Sequence, residues 1–340
     1  MEILREVENP KILDLFRFSN NDYIDNELFK NNFMLTGSGK AALSLILGYL
    51  RKQKILQNKM DEVVVPEWLG YWVYNQVNQY AFPSKTISNR SKALLVYHQY
   101  GFPQNMKKIQ EIADKYKLII IEDSAHNINS MYDEKLLGTF GDYTIFSFSK
   151  FFFSLALGGV KYKDENFGEY LMEKINNSSN TINTFINFSK MINEFSIKHT
   201  KIRNSSNLFL GMSYALYGHD FRASRLSKNL FYLKINKEID IRRKRYNYFV
   251  DLFNGSSIID HLEKENIVPY VIPIVLPVPI MKKVLNELRN SGFNTGIYKF
   301  DINRFFIEPN FVDTLWIFVH GGLCDSKFVE QINILKKYVG

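Results

Sequence analysis

The chain has 340 residues, 46% of them hydrophobic and 23% charged, which suits one large α/β domain with a smaller one beside it. Its formal charge of +8 permits an anionic ligand, but no basic block or nucleic-acid motif accompanies it, so a nucleic-acid partner is not expected. The single cysteine, Cys324, excludes an intramolecular disulfide and a cysteine-rich metal site, and no metal is expected. The first residues lack the apolar core of a signal peptide, and the apolar runs at 151–160 and 270–281 are too short to cross a bilayer. A cytoplasmic protein without a membrane partner is the expectation.

In chain order, a glycine-containing turn, Thr36-Gly37-Ser38-Gly39-Lys40, precedes a helical spacing at 41–50. A β-branched strand at 63–65 is stopped by Pro66, and a helix is predicted over 71–80. Strands are predicted at 93–98 and 118–122, separated by an amphipathic helix at 106–116. The stretch 143–150 reads as a strand running into a loop, and 160–163 as a further short strand. Beyond it, 166–207 reads as helical segments with loops, and 235–252 as a long charged helix. The basic run Arg242-Arg243-Lys244-Arg245 in that helix reads as a solvated face. Strands at 271–276 and 315–319 then alternate with helices at 280–291 and 327–338. The alternation argues for a doubly wound, mostly parallel sheet followed by a small C-terminal α/β domain, divided as 1–235 and 236–340.

Ligands of such sheets lie beyond the carboxyl ends of the strands, where Asp123 and Lys150 are expected. Asp123 follows an apolar strand, so its charge calls for a cationic partner. A lysine amine and a carboxylate at neighbouring strand ends are what pyridoxal phosphate (PLP) chemistry requires. The amine forms the Schiff base, and the carboxylate keeps the pyridine nitrogen protonated. Gly39 lets backbone approach a phosphate, the amides of Lys40 and Ala41 open a helix, and Ser147 adds a hydroxyl. Trp72 is the choice for an aromatic stacked on the cofactor, with Trp68 and Tyr71 as competitors.

Four blocks, in this order, resemble the DegT/DnrJ/EryC1/StrS family of fold-type-I PLP sugar aminotransferases. They are the glycine turn 36–43, the strand 63–66, the segment from Tyr100-Gly101-Phe102-Pro103 to Glu122-Asp123-Ser124-Ala125-His126, and the segment from Gly138 through Ser147 and Lys150 to Gly158-Gly159. A weaker echo lies in Gly218-His219-Asp220-Phe221-Arg222. The resemblance implies that Lys150 carries PLP and moves the proton, that Asp123 tunes the ring, and that His126 sits near its phenolic oxygen. It implies an amino donor, glutamate, and a nucleotide-linked keto-deoxysugar as acceptor. It also implies a homodimer in which the 218–222 loop reaches the partner's phosphate site. The chain departs from the family pattern in the short Ser147-to-Lys150 spacing, in Lys40 for a threonine and in Asp220 for an asparagine. A carboxylate is acceptor-only, so either Lys40 offsets it or, the favoured reading, His219 or Arg222 makes the phosphate contact instead. Two rivals remain: a PLP-dependent sugar dehydratase, in which histidine replaces the lysine, and a regulatory or binding protein on the same fold.

Overall fold

The computed structural model describes residues 3–17, 24, 26–196 and 200–339. The first half alternates strand and helix: β1 (Phe33–Thr36), α1 (Gly39–Lys52), β2 (Glu62–Val64), α2 (Tyr71–Asn78), β3 (Phe82–Ser84), β4 (Ser91–Tyr97), α3 (Met106–Tyr116) and β5 (Ile119–Ser124). A small hairpin, β6 (Met131–Tyr132) and β7 (Lys135–Leu136), turns through Asp133 and Glu134, both at positive φ. Strands β8 (Tyr143–Phe146) and β9 (Gly158–Tyr162) follow, then helices α4 (Glu165–Asn176), α5 (Asn180–Phe195), α6 (Thr200–Leu216) and α7 (Arg225–Leu252). The chain closes with β10 (Val271–Ile274), α8 (Val278–Asn290), β11 (Ile297–Asp301), β12 (Phe311–Phe318) and α9 (Asp325–Lys336).

Among the described residues the main sheet has seven strands in the order β1-β9-β8-β5-β4-β2-β3. The pairs from β8 to β3 are parallel, and β9 runs antiparallel to both β8 and β1. Strand alternation sorts the apolar side chains onto two faces. Val63, Leu95, Ile121 and Ile145 pack with α1, while Val64, Leu94, Val96 and Ile120 pack with Met106, Ile109 and Ala113 of α3. Each such fully buried aliphatic side chain stabilises by about 1.5–3 kcal/mol. The antiparallel sheet β10-β12-β11 forms a second core with α7, α8 and α9. No helix of the described residues is long and apolar enough to cross a membrane.

The structure corrects several sequence expectations. Helix α7 starts at Arg225, ten residues early, because Ser224 caps it by accepting from the Ser227 amide. It runs unbroken to Leu252. The basic run inside it is not a solvated face: Arg242 and Arg245 are buried and donate to backbone carbonyls of Pro269, Tyr270, Phe151, His320 and Leu323. Four charges in a row reveal nothing about which of them the 3.6-residue period turns inward. Strand β9 already includes Gly158 and Gly159, ahead of the short strand expected at 160–163. A Cβ on Gly158 would lie 2.2 Å from the Ser38 carbonyl carbon, so only glycine lets β9 run this close to the 36–40 turn. Strands β1, β3 and β11 carry too short a pattern to announce themselves.

Candidate active site

Two neighbouring carboxylates end β5, and strand alternation sends them to opposite sides. Glu122 is fully buried and accepts from the amides of Gly141 at 2.6 Å and Gly138 at 2.8 Å, with His98 Nε2 at 2.9 Å. Burial alone would raise its pKa; His98 and the two amides together hold it below the usual carboxylate range. Glu122 therefore fixes the 138–142 turn that leads into β8. Asp123 faces the other way, into a cavity of about 310 Å³. It belongs to β5 itself, paired with Tyr97 and Ile145, rather than lying just past the strand.

Lys150 ends the 3-10 turn Phe148–Lys150 and lines the same cavity. Its Nζ is 3.0 Å from His126 Nε2, and His126 Nδ1 is 2.5 Å from the Tyr97 hydroxyl. His126 stacks on Tyr270, with ring centroids 4.3 Å apart. Desolvation lowers the Lys150 pKa, with Asp123 opposing. Desolvation raises the Asp123 pKa, with Lys150 and the Ala125 amide opposing. Burial, then the charges of Lys150 and Arg242, hold the His126 imidazole neutral, well below its ordinary value. Burial likewise keeps Tyr97 a phenol.

The anion end is built differently from the sequence expectation. Ser38 caps α1: its Oγ accepts from the Ala41 amide at 3.0 Å and donates to the Tyr217 carbonyl at 2.9 Å. Ala41 is therefore engaged and does not line the cavity, whereas Ser38, Gly39, Lys40 and Ser147 do. The Lys40 ammonium donates to the Tyr214 carbonyl at 3.1 Å and sits 4.8–5.2 Å from the ring centroids of Trp72, Tyr214 and Tyr217. Desolvation there lowers its pKa to about 8. Of the three aromatic candidates only Trp72 lines the cavity, stacked on Tyr214 with centroids 5.2 Å apart. Trp68 packs instead on Phe311, and Tyr71 is exposed.

Asp220 is buried, and its carboxylate accepts from Asn183 Nδ2. Desolvation raises its pKa to about 6, against the Asn183 hydrogen bond. It abuts the glycine turn of its own chain, where a Cβ on Gly37 would lie 2.2 Å from the Asp220 carbonyl oxygen. Arg222 is tied to the carbonyls of Ile175 and Asn176 and to Asn180, and His219 is exposed. In this chain neither reaches the cavity. The sequence reading also missed Ser149, Lys190, Tyr214 and Tyr217, which line it. Lys190 and Tyr214 come from helices α5 and α6 and Tyr217 from the turn just past α6, all without a motif, and only packing brings them in.

An amine, a buried carboxylate and the N-terminal end of α1 share one cavity. That donor set fits a group with an aldehyde, a basic ring nitrogen and a phosphate tail, as PLP has. Among the described residues no cluster of three or more His, Cys, Asp or Glu could hold a metal.

Comparison with known proteins bears on the family and the fold. The model of the DegT/DnrJ/EryC1/StrS aminotransferase family matches residues 83–304, more than half of the chain. GDP-perosamine synthase of Escherichia coli O157:H7 is 45% identical over 62 residues, 18% of this chain and 17% of that protein. The GDP-4-keto-6-deoxy-D-mannose 3-dehydratase of Escherichia coli O55:H7 is 22% identical over 67% of this chain and 62% of its own. These matches span less than two thirds of either relative. In fold, the chain is similar to Helicobacter pylori PseC, an aminotransferase involved in the biosynthesis of pseudoaminic acid, with a TM-score of 0.67, 14% identity and 99% of both chains covered.

Proposed function

Because the chain belongs to the DegT/DnrJ/EryC1/StrS aminotransferase family, we propose that it is a PLP-dependent aminotransferase. It moves an amino group from glutamate to a keto group of a nucleotide-linked keto-deoxysugar. The observation that carries this reading is the Lys150 amine, 3.0 Å from the neutral imidazole of His126 in the cavity that Asp123 also lines. Relatives named for nucleotide sugars support the substrate class.

When bound, PLP supplies an aldehyde for an amine and a ring that accepts an electron pair. Lys150 would hold the aldehyde, Asp123 the ring nitrogen, and Gly39, Lys40 and Ser147 the phosphate, with Trp72 beside the ring. Desolvation makes the free-base form of Lys150 accessible nearer neutrality, so Nζ would take the proton from the donor Cα and deliver it to the carbon that carried the aldehyde. His126 orients that amine. Asp123, whose ionised form burial disfavours, regains its charge when a cation faces it.

A homodimer, a cytoplasmic location and the division into a large domain over 1–235 and a small one over 236–340 belong to the same proposal. Lys150 weighs against the dehydratase reading, which calls for histidine there. Borohydride reduction of the PLP-loaded protein and peptide mapping test the assignment: the pyridoxyl adduct is expected on Lys150, and an adduct on Lys40 or Lys161 overturns it. A protein that takes up no PLP, seen as no near-ultraviolet to visible absorbance, would favour the binding-protein reading. A half-reaction screen against keto sugars then identifies the acceptor.

A further inference from the structure

Lys190 enters the cavity from α5, a helix that carries no motif. Its side chain is 19% exposed, and Glu194, one turn on, lies 3.8 Å away, too far for a hydrogen bond. Lysine four residues before glutamate is also the weaker order for a helical pair. Glu194 is held instead by Arg5, whose Nη2 lies 2.5 Å from Oε2. Among the described residues nothing accepts a hydrogen bond from Lys190.

The cavity is lined by three lysines, Lys40, Lys150 and Lys190, and one carboxylate, Asp123. In the proposed function, Lys40 meets the cofactor phosphate and Lys150 its aldehyde. That leaves Lys190 as the cavity lysine with no role toward the cofactor; it shares the lining with Tyr214 and Tyr217 and has Glu194 at 3.8 Å as its one ion-pair partner among the described residues, in surroundings where a partly desolvated pair is stronger than in water. We propose that Lys190 is the substrate's anion anchor, a specificity-determining residue that binds a carboxylate or phosphate oxygen of the incoming substrate. The inference rests on the aminotransferase reading, and the anion has two sources: the carboxylate of the amino donor or the diphosphate of the nucleotide sugar.

The test compares wild type, Lys190→Met and Lys190→Arg in the two half-reactions, each followed by the absorbance of the PLP-loaded protein. Lys190→Met is expected to raise the KM of one substrate roughly 10- to 100-fold, as loss of a charge-assisted hydrogen bond does. PLP content and kcat stay close to wild type, and arginine restores much of the loss. A shift in the donor reaction identifies the carboxylate, and a shift in the keto-sugar reaction identifies the diphosphate. Unchanged KM values in both overturn the proposal. If wild type transfers no amino group, the functional reading fails separately. Equilibrium binding of glutarate and of a nucleoside diphosphate, read by tryptophan fluorescence, then decides: weakening of either by Lys190→Met supports the anchor, and no weakening, or no binding to wild type, overturns it.

Discussion

Lys150 Nζ lies 3.0 Å from His126 Nε2, and the far side of that imidazole meets the Tyr97 hydroxyl, so one neutral ring links the amine to a buried phenol. The chain orients Lys150 through this relay and the Tyr270 ring stacked on it. His126→Ala should lower kcat about 10- to 100-fold, in the range for a lost positioning or proton-transfer partner. The pH at which the Lys150-bound chromophore titrates should move with it. His126→Asn, which keeps one polar contact, should recover part of both. An unmoved titration would mean that His126 only packs.

Asp123→Asn keeps the size and an oxygen for the Ala125 amide, which now donates to Oδ1 at 3.0 Å. It removes the charge facing Lys150. Turnover should fall by about 10²–10³-fold or more, the range for a lost preorganised electrostatic contact. Circular dichroism and melting should stay near wild type. Near-native turnover would make Asp123 structural.

Lys40 gives a pH signature. Desolvation lowers its folded pKa to about 8 from an ordinary 10.5, so the folded chain loses this proton first as pH rises. Between those values the unfolded chain holds more protons, and the Lys40 contribution makes the fold more stable as pH climbs from about 8 to 10.5. Anion binding moves the other way. Affinity of the PLP-free protein for inorganic phosphate, measured by calorimetry, should fall as pH rises through about 8. Lys40→Met should weaken binding at pH 7 by about tenfold and flatten that fall. An unchanged profile in the variant would assign the phosphate to other donors.

Arg242 ties the second core to the site. It is fully buried and bonds Glu238 at 2.6 Å and the carbonyls of Pro269, Tyr270 and Phe151. Arg242→Met strands the buried Glu238 carboxylate and should cost about 3–5 kcal/mol in denaturant unfolding. The double variant Arg242→Met with Glu238→Gln should recover part of that loss. Losses that simply add would show that the two side chains are not coupled.

The site was legible where local chemistry needs a residue at a strand end. Asp123 after an apolar run, Lys150 after β8 and glycines before α1 carry their reasons in the chain itself. Glu122 and Asp123 look alike in sequence, and only the pleat of β5 sends one to the 138–142 turn and the other to the cavity. Ala41 looked available as an anion donor until Ser38 was seen to occupy its amide. The Arg242–Arg245 run looked solvated because a charge run does not say which face of α7 meets the second core.

By itself, then, the sequence determined the alternation of strand and helix, the order of the motif blocks and the residues of the amine–carboxylate pair. These rest on short-range periodicity and backbone freedom, which neighbouring residues express. Tertiary structure decided what depends on distance along the chain. Tyr214, Tyr217 and Lys190 arrive at the cavity from segments beyond β9, His126 is wedged between Tyr97 and Tyr270, and Gly158 is required because β9 runs against the 36–40 turn. Packing between remote segments leaves no period in the sequence, so only the folded chain fixes it.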